Sequence, residues 1–145
     1  MKKILYSLLF VSLLAAIPTE TQAQCKSFTK KTCIPNLDPY VYNGQFNSAQ
    51  LSEGDVAELL LTFYSDQEYR ISICNQANLG KVQFQIYDTE KNLLYDNADN
   101  DFVSMWDFKS NSTQQLIVRV TIPQEENRSG IVQTGCVSIL VGFKE

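Results

Sequence analysis

Leu116-Ile117-Val118-Arg119-Val120-Thr121-Ile122-Pro123 decides the fold. Leu116, Val118, Val120 and Ile122 fall on one face of an extended chain and Ile117, Arg119 and Thr121 on the other, so the apolar period is two rather than 3.6. Pro123 has no amide hydrogen to give a ladder and ends the run. The same alternation recurs on both sides of it. Ala57, Leu59, Leu61 and Phe63 oppose Glu58, Thr62 and Tyr64; Tyr69, Ile71 and Ile73 oppose Arg70, Ser72 and Cys74; Val82, Phe84 and Ile86 oppose Gln83, Gln85 and Tyr87. Val137, Ile139, Val141 and Phe143 form the inner face of the final run. Turn chemistry separates these runs at Ser52-Glu53-Gly54-Asp55, Ser65-Asp66-Gln67-Glu68, Thr89-Glu90-Lys91-Asn92 and residues 111–114. Residues 40–51 read as one long or two short strands around Asn43-Gly44, and residues 102–108 as a strand that carries Trp106 toward the core. About eight short antiparallel strands at near-regular intervals predict an all-β, jelly-roll-like β-sandwich, with no helix of about ten residues or more.

Upstream of the strands, Met1-Lys2-Lys3 is a basic head and residues 4–17 an apolar run broken only by Ser7 and Ser12. Thr21-Gln22-Ala23 then sets small residues three and one before a cleavage point, the pattern of a bacterial-type secretory signal. The run is too short for a membrane-spanning helix, and Gln22-Ala23-Gln24 before Cys25 does not fit a lipobox. The expected organisation is a signal peptide over residues 1–23, a disulfide-held irregular arm over 24–39, and a sandwich domain over 40–145. A secreted, periplasmic or cell-surface location follows.

All four cysteines, Cys25, Cys33, Cys74 and Cys136, lie beyond the cleavage point, in a compartment where disulfides persist. They contain no Cys-x-x-Cys pair and the chain has no histidine, which argues against a zinc site. Four cysteines allow three pairings. Cys74 and Cys136 both have outward parity on their runs, so a bond between them fits two neighbouring strands, leaving Cys25 with Cys33; this is the preferred pairing.

The chain carries 12 basic and 16 acidic side chains, a net charge of −4, and loss of Lys2, Lys3 and Glu20 with the signal makes it −5. Such a surface repels a phosphate backbone, and the one basic cluster, Lys26, Lys30 and Lys31, reads as a solvated loop, so no nucleic acid is expected. Absence of histidine removes Ser-His-Asp, Cys-His and histidine-metal hydrolysis. A carboxylate-pair hydrolase using Asp99 and Asp101 remains conceivable, but the acids cluster at turns and a chain this short leaves little room for a deep cleft. We expect no enzyme.

Asp96-Asn97-Ala98-Asp99-Asn100-Asp101 offers hard oxygens at alternate positions, so Asp96, Asn97, Asp99 and Asp101 form a candidate calcium loop. Phe102 and Phe108 stand where such a loop needs glycine and a bidentate acid, and a solvated hairpin loop is the better fit. Calcium is the only cofactor suggested. Among Tyr40, Tyr42, Phe46, Tyr64, Tyr87, Tyr95 and Trp106, the outward parity of Tyr64 and Tyr87 makes those two the candidate binding aromatics. The acceptor patterns at Asn111 and Asn127 read as incidental beside a bacterial-type signal.

The pattern resembles the bacterial pre-peptidase C-terminal domain and related jelly-roll sandwiches. Carrying the resemblance are Leu51-Ser52-Glu53-Gly54-Asp55 before an apolar strand, Tyr69-Arg70-Ile71-Ser72-Ile73, Val82-Gln83-Phe84-Gln85-Ile86-Tyr87-Asp88 followed by Leu93, Gln115-Leu116-Ile117-Val118-Arg119-Val120, and Val137-Ser138-Ile139-Leu140-Val141. It covers residues 45–143 and implies an accessory role in secretion, folding or substrate contact, with calcium bound in some such domains. The chain as a whole is similar to small exported proteins of Bacteroidetes-type bacteria. The expected function is a non-catalytic exported binding domain, an adaptor subunit of a cell-envelope or secreted assembly with a protein partner. The alternative is a carbohydrate-binding module that stacks Tyr64 and Tyr87 on sugar rings.

Overall fold

The computed structural model describes residues 20–125 and 130–145. Most of the expected signal peptide and the acceptor pattern at Asn127 lie outside them. Helix α1 (Glu20–Phe28) runs into a π turn (Thr29–Cys33) and a 3-10 turn (Ile34–Leu37). Nine strands follow: β1 (Val41–Tyr42), β2 (Ser48–Ser52), β3 (Val56–Phe63), β4 (Gln67–Asn75), β5 (Gln83–Asp88), β6 (Leu93–Asp96), β7 (Met105–Ser110), β8 (Gln114–Thr121) and β9 (Thr134–Phe143).

The strands form two antiparallel sheets. Sheet A runs β2-β9-β4-β7, with β1 sharing the β9 edge with β2; sheet B runs β3-β8-β5-β6. This is the order of a jelly roll. Period-two alternation builds the core between the sheets: Ile71, Phe63, Phe84, Ile86, Val118 and Val120 are fully buried there. Trp106 belongs to the same layer, stacked between Tyr95 at 5.2 Å and Phe108 at 4.5 Å. Met105 begins the strand expected from Phe102; Phe102 itself sits at φ 56° in the preceding turn.

The arm differs from expectation. It is helical, and it lies across the outer face of sheet A, where Cys33, Leu37 and Leu140 form a second small core with Phe28, Ile34, Tyr42 and Cys74 against it. Thr29 is wholly buried at this contact, and its hydroxyl meets those of Ser138 (2.6 Å) and Ser48 (3.3 Å). Gly142 allows the chain leaving the arm to touch β9, since a Cβ there would stand 2.7 Å from Tyr40 Cβ.

The disulfides are Cys25–Cys136 and Cys33–Cys74, which corrects the expected Cys25–Cys33 and Cys74–Cys136. Outward parity is right for both strand cysteines, but register separates them. Cys74 stands opposite Ser138, while Cys136 accepts at its carbonyl from Gln76 N–H, two residues farther along. Such a diagonal leaves Cβ atoms about 7 Å apart, beyond disulfide reach. Each sulfur instead points into the arm.

Candidate functional site

Because the arm roofs sheet A, the outer face of sheet B is the open broad surface of the described residues. Its composition follows from register. Leu60 on β3 pairs with Ile117 on β8, Ile117 with Tyr87 on β5, and Tyr87 with Leu93 on β6. Paired residues share a face, so these four make an apolar strip about 14 Å wide across the sheet. Leu60 and Leu93 are each 52% exposed.

A polar row runs beside the strip, in the order Glu58, Arg119, Gln85 and Asp96. Arg119 places two nitrogens on Glu58 Oε1 at 2.6 and 2.7 Å and lies 5.0 Å from the centre of the Tyr87 ring. Its hydrogen bond holds the Glu58 carboxyl below the usual range, and Lys91 approaches the other oxygen at 3.8 Å. Burial alone would raise the Asp96 carboxyl. The amides of Gln83 and Gln85 and the Ala98 N–H outweigh it and lower the carboxyl instead. Charges along this row are thus mutually satisfied; they orient side chains and leave no base aimed at open space.

A second feature borders the strip. The Asn43–Asn47 segment bows out of the sheet A edge, with Gly44 at φ +83° making the turn. It opens a groove of about 850 Å³ against β3, lined among others by Phe46, Leu59, Leu61, Tyr64 and Val141, with no Lys, Arg, Asp or Glu in its wall.

The acidic loop is built differently from a calcium site. Asn97 is wholly buried: its Oδ1 accepts from Phe84 N–H (2.8 Å) and its Nδ2 donates to the carbonyls of Val82 (3.0 Å) and Val103 (3.1 Å). Both Asp96 oxygens face glutamine amides of β5. Only Asp99 and Asp101 project outward, and among the described residues no group of three or more acidic or cysteine side chains converges on a point. Two of the four oxygen donors expected for calcium are therefore turned into the fold.

Tyr64 and Tyr87 are not brought together. Tyr64 is 65% exposed on the groove, whereas Tyr87 is part-buried in the strip beneath Arg119, donating its hydroxyl to Gln85. Four residues and two strands put them roughly 16 Å apart, too far to flank one sugar ring. Sequence reasoning missed Leu60, Ile117 and Leu93 as partners of Tyr87. Their outward parity was the available signal, but only the cross-strand register joins them.

No family model matches this chain, and no curated protein does. Among solved structures, 73% of the chain is similar to the crystal structure of Aeromonas hydrophila PliG, a periplasmic lysozyme inhibitor of g-type lysozyme. That likeness covers 89% of the other chain at 13% identity and a TM-score of 0.49, too distant to bear on function.

Proposed function

We propose that this chain is an exported, non-catalytic protein-binding domain, acting as an adaptor or accessory subunit of a cell-envelope or secreted assembly. The unequal covering of its two sheets carries the reading: one outer face is roofed by a covalently fixed arm, and the other presents Leu60, Ile117, Tyr87 and Leu93 beside a row of satisfied charges. An apolar centre with a tyrosine, flanked by a polar row that holds an arginine, is the anatomy of a protein-recognition patch. Two disulfides support an oxidising compartment. The accessory role implied by the resemblance to pre-peptidase C-terminal domains belongs to the same proposal.

Crosslinking in native envelopes, followed by reconstitution with the captured protein, tests it. The expected result is a saturable complex that Ile117→Arg or Tyr87→Ala weakens at least tenfold, as for an interface hot spot. A complex indifferent to both changes, with the fold intact, sinks the reading.

A carbohydrate-binding role has one observation in its favour: Phe46 and Tyr64 share the uncharged groove with the amides of Asn43, Gln45 and Gln67. It predicts hits on a glycan array that vanish in Tyr64→Ala and persist in Tyr87→Ala.

A further inference from the structure

The edges of the two sheets are not equally protected. Natural sheets blunt exposed edges with charge, proline, bulges or short strands, because unpaired N–H and C=O groups recruit other strands. β6 has four residues and a register shift beside it, β7 turns Asp107 and Lys109 outward, and the β1–β2 edge is interrupted by the bowed segment. β3 has no proline, no bulge, no shortening and a single charge. It is eight residues of Val-Ala-Glu-Leu-Leu-Leu-Thr-Phe, and its one charge, Glu58, is turned toward Arg119 on β8. Among the described residues nothing pairs with its other side.

The phase of the ladder shows what that side offers. Ile122 N–H donates to Asp55 carbonyl at 2.9 Å, and the β3–β8 register continues from there without a shift. In an antiparallel ladder, alternate residues bond to one neighbour. Ala57, Leu59, Leu61 and Phe63 therefore bond to β8, and Val56, Glu58, Leu60 and Thr62 turn their backbone groups outward.

We infer that β3 is a homodimerisation edge, and that its occupant is β3 of a second copy, antiparallel about a two-fold axis at Leu60. This proposal goes beyond the recognition strip: it rests on the backbone edge of β3, and shares with the strip the side chain of Leu60 alone. In that register Leu60 pairs with itself, Glu58 with Thr62 and Leu59 with Leu61 of the other copy. Free donors meet free acceptors along the edge, apolar residues meet apolar residues, and no like charges oppose. A register centred on Glu58 would oppose two carboxylates instead. The pairing joins the two sheets B into one eight-stranded sheet and lays leucines of the second copy against the mouth of the uncharged groove. An interface of roughly 1,000 Å² lies at the small end for specific complexes, so dimerisation in the micromolar range is expected.

Sedimentation equilibrium of the oxidised mature chain, from micromolar to near-millimolar concentration, reads this directly. Wild type should pass from one-chain to two-chain mass. Leu60→Pro removes an N–H that β8 does not use, and Leu60→Lys opposes two ammonium groups at the axis; both should remain monomeric, with circular dichroism reporting the intact fold. Thr62→Glu, which sets a carboxylate opposite Glu58 of the other copy, should weaken dimerisation about fivefold, and Thr62→Lys should strengthen it. A wild type that stays monomeric throughout overturns the inference. So does a dimer that survives the Leu60 variants, or one in which the two Thr62 variants behave alike.

Discussion

Asn97 closes sheet B where β6 stops. With its amide bonded to Phe84 N–H and Val82 C=O, it does for β5 what one more strand residue would do, and it ties off the following turn at Val103. Asn97→Ala leaves those buried groups unpaired and should cost about 2–4 kcal/mol in urea unfolding. Asn97→Asp keeps one acceptor but turns an oxygen toward two carbonyls, so it should be at least as damaging at neutral pH and recover partly in acid. The sequence shows oxygen donors at alternate spacing here; it does not show which way they face, which is why the loop offers a candidate ligand set beside the better-fitting solvated hairpin loop, and why neither reading places Asn97 inside the fold. Asp107 is a second instructive residue. Arg70 donates to both its oxygens at 2.7 Å, lowering the carboxyl below its ordinary value, while Arg70 also reaches the carbonyls of Leu37 and Asp38 and lies 4.4 Å over Tyr40. A depressed acid adds stability that is present above the unfolded value near pH 4 and disappears as pH falls through the lower folded value. Since Asp107 is 42% exposed, that contribution stays below about 1 kcal/mol. Asp107→Asn should flatten stability against pH below about pH 4, measured by denaturant titration.

The elements divide by how local their instructions are. Alternation within a single strand depends only on nearest neighbours, so Ala57 to Phe63, Val82 to Ile86 and Leu116 to Ile122 disclose both their conformation and their inner face before any fold is known. The arm gives no such signal. Glu20–Phe28 lacks an apolar 3.6 stripe, and its anchorage comes from Cys25, Thr29 and Cys33 meeting groups more than forty residues away. Cysteine pairing fails for the same reason: parity says that Cys74 and Cys136 point outward, but register and a crossing arm decide what they meet. The apolar strip on sheet B is half legible, residue by residue in parity and invisible as a row. Peptide mapping without reduction should recover Cys25–Cys136 and Cys33–Cys74 linkages. Replacing Cys33 and Cys74 together by alanine should cost about 4 kcal/mol on the chain-entropy model for a separation of 41 residues. Loss nearer zero would mean that the arm's contacts persist in the unfolded ensemble.

At the scale of the molecule the two sheets have different surroundings. β9 is central in sheet A, covered by the sandwich core on one side and by the arm on the other, and eight of its ten residues are buried. In dilute, one-chain protein, amide exchange should accordingly be slowest in β9 and β4 and faster along the edges of β3 and β6. Fastening the arm at Cys136, near the start of β9, has a mechanical meaning as well. Tension applied to the chain outside Cys25 and Cys136 crosses from one to the other through a single pair of sulfurs, bypassing the strands between. Stretching the oxidised protein should hide roughly 380 Å of contour that becomes extensible on reduction, for a separation of 111 residues. A pull on the C-terminus therefore bears on β9 from Phe143 back to Cys136 and then leaves through the arm, so the outer face of sheet B lies off the line of force.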